Sequence, residues 1–105
     1  MSETEEDDGK PPTLSIQLAP PIVFKGGNYT SIELREPKAG EVRKAEGQMR
    51  NGIHSESLRL YNMHLISMVS GLSIPVLELV PIGQFNEAAE YLAGFIESGR
   101  GTGRT

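Results

Sequence analysis

Residues 22–43, IVFKGGNYTSIELREPKAGEVR, decide the fold. The stretch reads as two short strands joined by a tight reversal and followed, through a proline, by a helix. From Tyr29 to Arg35 the polar side chains Tyr29, Ser31, Glu33 and Arg35 alternate with Thr30, Ile32 and Leu34. One side of that strand is therefore wet and the other largely apolar. Lys25-Gly26-Gly27-Asn28 supplies the tolerance for positive φ that a hairpin turn requires. Glu36-Pro37 ends the strand, because proline offers no N–H to a ladder and suits the start of a helix.

Upstream, Leu14-Ser15-Ile16-Gln17-Leu18 alternates as a strand, Pro20-Pro21 interrupts it, and Ile22-Val23-Phe24 resumes it. Downstream, residues 38–50 form a weak helix with Ala39, Val42, Ala45 and Met49 on a narrow face. Gly40 and Gly47 each cost it about 1 kcal/mol relative to alanine. Asn51-Gly52 breaks it. A second helix runs over residues 55–70, with Ser55 as N-cap and Gly71 as its stop. Ser73-Ile74-Pro75 opens a helix of one or two turns that ends at Pro81, and a last helix covers residues 84–98, stopped by Gly99. The fold class is α+β, an N-terminal β-hairpin packed on three to four α-helices. The expected core is Ile22, Phe24, Ile32, Leu34, Leu58, Leu65, Leu72, Leu79, Leu92, Phe95 and Ile96.

Composition sets bounds on this reading. A chain of 105 residues holds one small domain, here residues 13–98. Such a domain buries only roughly 60–65% of its unfolded surface, so a partner or self-association is expected to add stability. Residues 1–12 form an acidic tail too polar to order itself, and the Gly/Arg tail over residues 99–105 is expected to be disordered as well. The absence of cysteine excludes disulfides and thiolate metal sites and fits a reducing compartment. No apolar run approaches the ~20 residues of a membrane span, and an acidic start is the opposite of a signal peptide. The Asn28-Tyr29-Thr30 sequon therefore has no secretory context.

Charge is segregated along the chain. Residues 1–10 carry five acids against one lysine; residues 13–59 carry seven basic and five acidic side chains; residues 60–98 carry four acids and no lysine or arginine. The N-terminal acids read as a solubility device; the sharper reading of the charge pattern is an acidic helical face that meets a basic partner, with electrostatics setting orientation and on-rate. No basic stripe with stacking aromatics exists, which argues against nucleic acid. His54 and His64 stand ten residues apart with no carboxylate at metal-ligand spacing, and Glu33 and Glu36 form no paired-carboxylate motif. Gly99-Arg100-Gly101-Thr102-Gly103 imitates a phosphate loop in composition only, with no strand before it and no helix after it. No catalytic, cofactor or metal site is legible, and the chain does not read as an enzyme.

The helices carry the remaining signal. In the last one Phe85, Ala88, Ala89, Leu92, Phe95 and Ile96 share a stripe opposite Asn86, Glu87, Glu90 and Glu97, which reads as core packing against a wet face. In the helix over residues 55–70, Leu58, Tyr61, Leu65, Met68, Val69 and Leu72 form a core stripe, yet Leu60, Met63 and Ile66 fall outside it. A helix apolar beyond one stripe is either central in its fold or covered by a partner. In the second case Leu60, Met63 and Ile66, with Glu87 and Glu90 on the acidic helix, are the candidate partner-binding residues. Methionine adapts to irregular surfaces and suits such a contact.

The block Leu34-Arg35-Glu36-Pro37-Lys38-Ala39-Gly40-Glu41 resembles the small tail assembly chaperones of Mu-like and P2-like phages and prophages. Their pattern runs L…PI…G…T…IxLREPxAGD(L/V)R and then continues into helices. The resemblance extends from Leu18 to Ile96, and Glu41 stands where aspartate is more usual. It implies a protein that binds the tape measure protein, holds it soluble until the tail tube polymerises around it, and self-associates. It further implies residence in the host cell cytoplasm, absence from the finished virion, and in many members a longer frameshifted form. Other classes consistent with the residues are a small structural component of the tail and an accessory regulatory or interaction protein.

Overall fold

A computed structural model describes the backbone of residues 12–103 and the side chains of residues 12–97. The expectations for the acidic segment before Pro12 lie outside the described residues. Strands β1 (Thr13–Phe24) and β2 (Gly27–Arg35) form an antiparallel hairpin, followed by α1 (Ala39–Glu46), a 3-10 turn (Gly47–Met49), α2 (Ser55–Ser70), the one-turn α3 (Ile74–Leu77) and α4 (Ile82–Gly103).

The hairpin turn is Lys25-Gly26, with φ of 48° and 82°, between the paired residues Phe24 and Gly27. Two successive positive φ values match the right-handed twist of the strands, the geometry of a type I′ turn. Alternation then sorts the faces. Ile16 lies opposite Ile32 and Leu14 opposite Leu34 on the covered side, where Ile32 and Leu34 are buried. Ser15, Gln17, Ser31 and Glu33 occupy the other side, and both serine hydroxyls donate to Glu33 Oε2, at 2.7 and 2.6 Å. Those two bonds hold the Glu33 carboxyl below its usual range. Pro20-Pro21 interrupts the ladder, as its position predicted, without ending the strand. Between the pairs Gln17–Ser31 and Ile22–Tyr29, four residues of β1 (18–21) face only Thr30 of β2. The prolines sit in this bulge, where no ladder N–H is needed, and the strand resumes with both Leu18 and Ile22 buried.

α1 is shorter than its expected span. It buries Ala45 and yields at Gly47 to the 3-10 turn, while Ala39 is exposed rather than packed. α2 is the central element: it packs against β2, α1, the 3-10 turn, α3 and α4. Its N-cap is His54, one residue before the expected Ser55, and its C-cap is Gly71 at φ 83°. An imidazole nitrogen substitutes for the usual side-chain oxygen, accepting from the Ser57 N–H at 3.4 Å, while Ser57 Oγ accepts from the His54 N–H at 2.9 Å. Ser57 also donates to the Gly52 carbonyl at 2.9 Å, so the one buried polar side chain among the described residues is satisfied. α3 opens as predicted, with Ser73 capping the Val76 N–H and Pro75 in the first turn. The backbone of α4 runs on through the expected stop at Gly99 to Gly103. Glycine lowers helix propensity without forbidding the conformation.

One core joins the hairpin to α2, α3 and α4. Of the expected core, Ile22, Ile32, Leu34, Leu65 and Leu92 are buried, and Phe24, Leu72, Phe95 and Ile96 are half-buried against it. Leu58 and Leu79 are corrections, at 44% and 51% exposed. Leu58 sits near the start of α2, followed by exposed Arg59 and Leu60, and Leu79 in the turn after α3. Ile16, Leu18, Val76, Leu77, Val80 and Tyr91 complete the interior. Tyr91 meets Phe95 edge to face, with ring centroids 5.1 Å apart. Burial first, and then the charge of Glu36, push the Tyr91 phenol up. The Gln84 side-chain amide donates to the Gln17 carbonyl at 2.6 Å, fastening the start of α4 to the edge of the bulge.

Candidate partner-binding surface

The most distinctive residues of the sequence form a joint between sheet and helices. Lys38 is the N-cap of α1, and Glu41, three residues on, accepts from the Lys38 N–H at 2.8 Å. The same carboxylate takes both arms of the Arg35 guanidinium, Nη1 to Oε1 at 3.0 Å and Nη2 to Oε2 at 2.8 Å. Arg35 is the last residue of β2 and pairs with Thr13. The spacing in Arg-Glu-Pro-Lys-Ala-Gly-Glu is what this requires: strand end, proline stop, N-cap, third helical residue. The Arg35 hydrogen bonds are the largest cause holding the Glu41 carboxyl down at about 2; the Lys38 backbone N–H and the charges of Arg35 and Lys38 act in the same direction. This pair fixes the entry of α1, against which α2 packs. Its role is structural.

α2 changes character along its length. Leu65, Ile66 and Val69 in the second half are buried, whereas residues 58–60 are exposed. Ile66, expected on a partner surface, is 0% exposed and belongs to the core. The reason is the central position of α2, which has neighbours on several sides rather than one. Met63 is half-buried and packs against the core, and Leu60 is 38% exposed. At about 100° per residue Met63 lies roughly 160° and Leu60 roughly 140° around the helix from Leu65. Glu87 and Glu90 are exposed on α4. The expected set is therefore not one patch: one member is core, one half-buried, and three are at the surface on two helices.

The opening that the structure does form lies elsewhere, between α2 and α4. A cleft of ≈ 220 Å³ is walled by Leu58, Tyr61, Asn62 and Leu65 of α2 and by Ala93, Ile96 and Glu97 of α4. A second hollow of ≈ 190 Å³ shares Leu58 and Asn62 and adds Ser55, Arg59, Phe85 and Asn86. The two adjoin at Leu58 and Asn62; Leu58, Tyr61 and Ile96 give the first its apolar lining, and the charged side chains lining them are Glu97 in the first and Arg59 in the second. The small side chain of Ala93 leaves room that a longer one would fill. Sequence reading missed the groove because it assigned Leu58 to the core by periodicity alone. The available signal was position: Leu58 follows closely on the Asn51-Gly52 break, near the free end of the helix.

Residues 15–97, more than half of the chain, match the family model described as phage tail assembly chaperone proteins, E, or 41 or 14. The chain belongs to the phage tail assembly chaperone family. The match takes in the hairpin, the Arg35–Glu41 joint, α1 to α3 and the described side chains of α4, so both the joint and the groove lie within what defines the family. No curated protein and no solved structure matches the chain. Among the described residues no helix is long and apolar enough to cross a membrane, and no cluster of histidine and acidic side chains is arranged to hold a metal ion.

Proposed function

We propose that this tail assembly chaperone binds the tape measure protein of its phage and keeps it soluble while the tail is assembled. The observation that carries the reading is the family match over residues 15–97, which covers the whole apolar groove between α2 and α4. A long helical protein awaiting its tube exposes apolar surface, and a small partner with an apolar groove of its own can shield it. The chaperone acts by binding, without catalysis or cofactor, in the host cell cytoplasm, and leaves before the virion is complete. It also forms homo-oligomers: a domain this small gains stability from association, and Val23, Ile53, Leu58, Leu79 and Ile82 are exposed and available to it.

Co-production tests the reading. The tape measure protein from the same phage is expected in the soluble fraction, and in complex with the chaperone, only when both are made together. A tape measure protein that stays insoluble in the presence of the chaperone, or soluble without it, overturns the proposal. Finding the chaperone in stoichiometric amounts in purified particles would place it among the structural tail proteins instead. Sedimentation of the chaperone alone is expected to show species heavier than the 11.4 kDa chain.

A further inference from the structure

We infer that the outer edge of β1, over residues 13–17, is a self-association seam, and that its occupant is the same strand of a second copy of this chain, run antiparallel across a two-fold axis. The inference rests on the homo-oligomer proposed above and gives it a surface. The hairpin is a two-stranded sheet, and among the described residues neither outer edge carries a third strand. Such an edge is a row of backbone donors and acceptors ready to pair. The two edges differ in how they are guarded. α2 packs against β2, whose Ile32 and Leu34 are fully buried and whose wet side carries Glu33 and Arg35. Cover thins toward β1, where Leu14, the cross-strand partner of Leu34, is only half-buried. Thr13-Leu14-Ser15-Ile16-Gln17-Leu18-Ala19 contains no charge, no glycine and no proline, the composition of an unguarded edge.

The window is short and bounded. Pro11-Pro12 precedes it and Pro20-Pro21 follows it, and no proline can donate to a ladder. The Gln84 side chain already donates to the Gln17 carbonyl, which closes the regular stretch at Gln17. A register centred on Ser15 uses that stretch fully. It sets Ser15 against Ser15 of the second copy, Leu14 against its Ile16 and Thr13 against its Gln17. Apolar side chains then meet on the covered side, and hydroxyl and amide groups on the wet side. An edge run antiparallel to its own copy matches donors with acceptors by symmetry. Charge also fits a second copy, because the seam holds none and like charges are kept apart. Glu33, which accepts from Ser15 on the neighbouring strand, faces its counterpart across three strand spacings, about 14 Å, against a screening length of ~8 Å in physiological salt. The half-exposed Leu14 gains the second copy's Ile16 as cover.

The full chain has no cysteine, so single cysteines and a short bis-maleimide report the seam without background. Ser15→Cys is expected to give a covalent dimer, and Glu33→Cys on β2 to stay a single chain. Thr13→Cys and Gln17→Cys should each cross-link poorly alone, since each lies about 14 Å from its own copy at ~3.4 Å per residue, and well when the two are mixed. Sedimentation of Ser15→Lys gives the second readout. Lysine would face lysine across the seam while keeping Glu33 beside it within the hairpin, so self-association should weaken about tenfold or more with the circular dichroism melt unchanged. A wild-type chain that stays an 11.4 kDa monomer at every concentration overturns the homo-oligomer and the seam with it. Oligomers that persist unchanged in Ser15→Lys, or that cross-link through Glu33→Cys and not Ser15→Cys, overturn the seam while self-association stands. A mixture of Thr13→Cys and Gln17→Cys that links no better than either alone overturns the antiparallel register. Loss of tape measure capture in Ser15→Lys with oligomers intact would give the edge to a client strand, and the inference falls. Should Ser15→Lys unfold, the cysteine pairs still decide the question.

Discussion

Removing the charge of Glu41 is the perturbation that most directly probes the joint between hairpin and helices. In the folded chain its carboxyl titrates at about 2 against an ordinary 4.5. That gap corresponds to a ceiling of about 3 kcal/mol, at ~1.4 kcal/mol per pKa unit. Solvent reduces it: the Arg35 side chain is 38% exposed and that of Glu41 18%. Water and salt screen such a pair, so about 1–2 kcal/mol is the working figure. Since the folded pKa is depressed, the contribution is fully present above about pH 4.5 and is lost as pH falls toward about 2.

Glu41→Gln keeps the carbonyl oxygen that accepts from the Lys38 N–H and removes the charge that Arg35 grips. Urea melts of both proteins at pH 7, 4.5, 3 and 2 are the assay. At pH 7 the variant is expected to be less stable by about 1–2 kcal/mol, with the difference shrinking through the acid range and closing near pH 2. Arg35→Lys, which cannot make the bidentate contact, is expected to lose a similar amount at neutral pH. A difference between wild type and Glu41→Gln that stays constant from pH 7 to pH 2 would refute the ionic account. The joint would then matter for shape and hydrogen bonding alone.

Other expectations follow from burial and backbone geometry. Leu65→Ala, at a residue 1% exposed, should cost roughly 2–5 kcal/mol in denaturant melts and largely unfold a domain of ordinary stability. Ile66→Ser should cost a comparable amount, because it removes buried methyl groups and leaves a hydroxyl in the core; Leu60→Ser should stay within about 1 kcal/mol. Ser57→Ala removes both the acceptor for the His54 N–H and the donor to the Gly52 carbonyl, and should cost about 1–2 kcal/mol by the same melts. Gly71→Ala meets no neighbouring atom, so its expected loss of about 1 kcal/mol is backbone strain at φ 83°, and Gly71→Asn should lose less.

Local chemistry was legible where it is decided by neighbours in sequence. Lys25-Gly26 turns because glycine and a hairpin's twist leave few alternatives; Gly71 ends α2 and Ser73-Ile74-Pro75 starts α3 for similarly local reasons. What failed to show depended on residues far apart in the chain. Pro20-Pro21 looked like a break, yet a partner strand with one residue against four absorbs it as a bulge. Periodicity put Leu58 and Leu65, seven residues apart, on one core stripe, but packing density is not uniform along α2, and only Leu65 is covered. Ile66 lies off that stripe, which left it either central in the fold or under a partner; a helix with neighbours on several sides buries more than one face, and Ile66 is core. The bond from Gln84 to the Gln17 carbonyl spans 67 positions and has no local signature. The groove inherits the same difficulty: its two walls come from helices whose separation no one-dimensional pattern encodes.

The division of α2 bears on how an assembly chaperone lets go. Its buried half is the centre of the fold, and its exposed half forms one wall of the groove. A ligand seated there would lean chiefly on Leu58, whereas Leu65 walls the cleft and belongs to the core as well, and Tyr61 also packs against that core. The cleft itself is small, at ≈ 220 Å³, and offers only a few apolar anchors. Affinity per copy should therefore be modest, since hot spots rather than area set binding strength. Several copies along a long client would still hold it through avidity. A polymerising tube could then displace them one at a time, because each step has only a single weak seat to break. Strong single-site binding would defeat that release, and a shallow groove with a charged rim meets the need better than a deep pocket would.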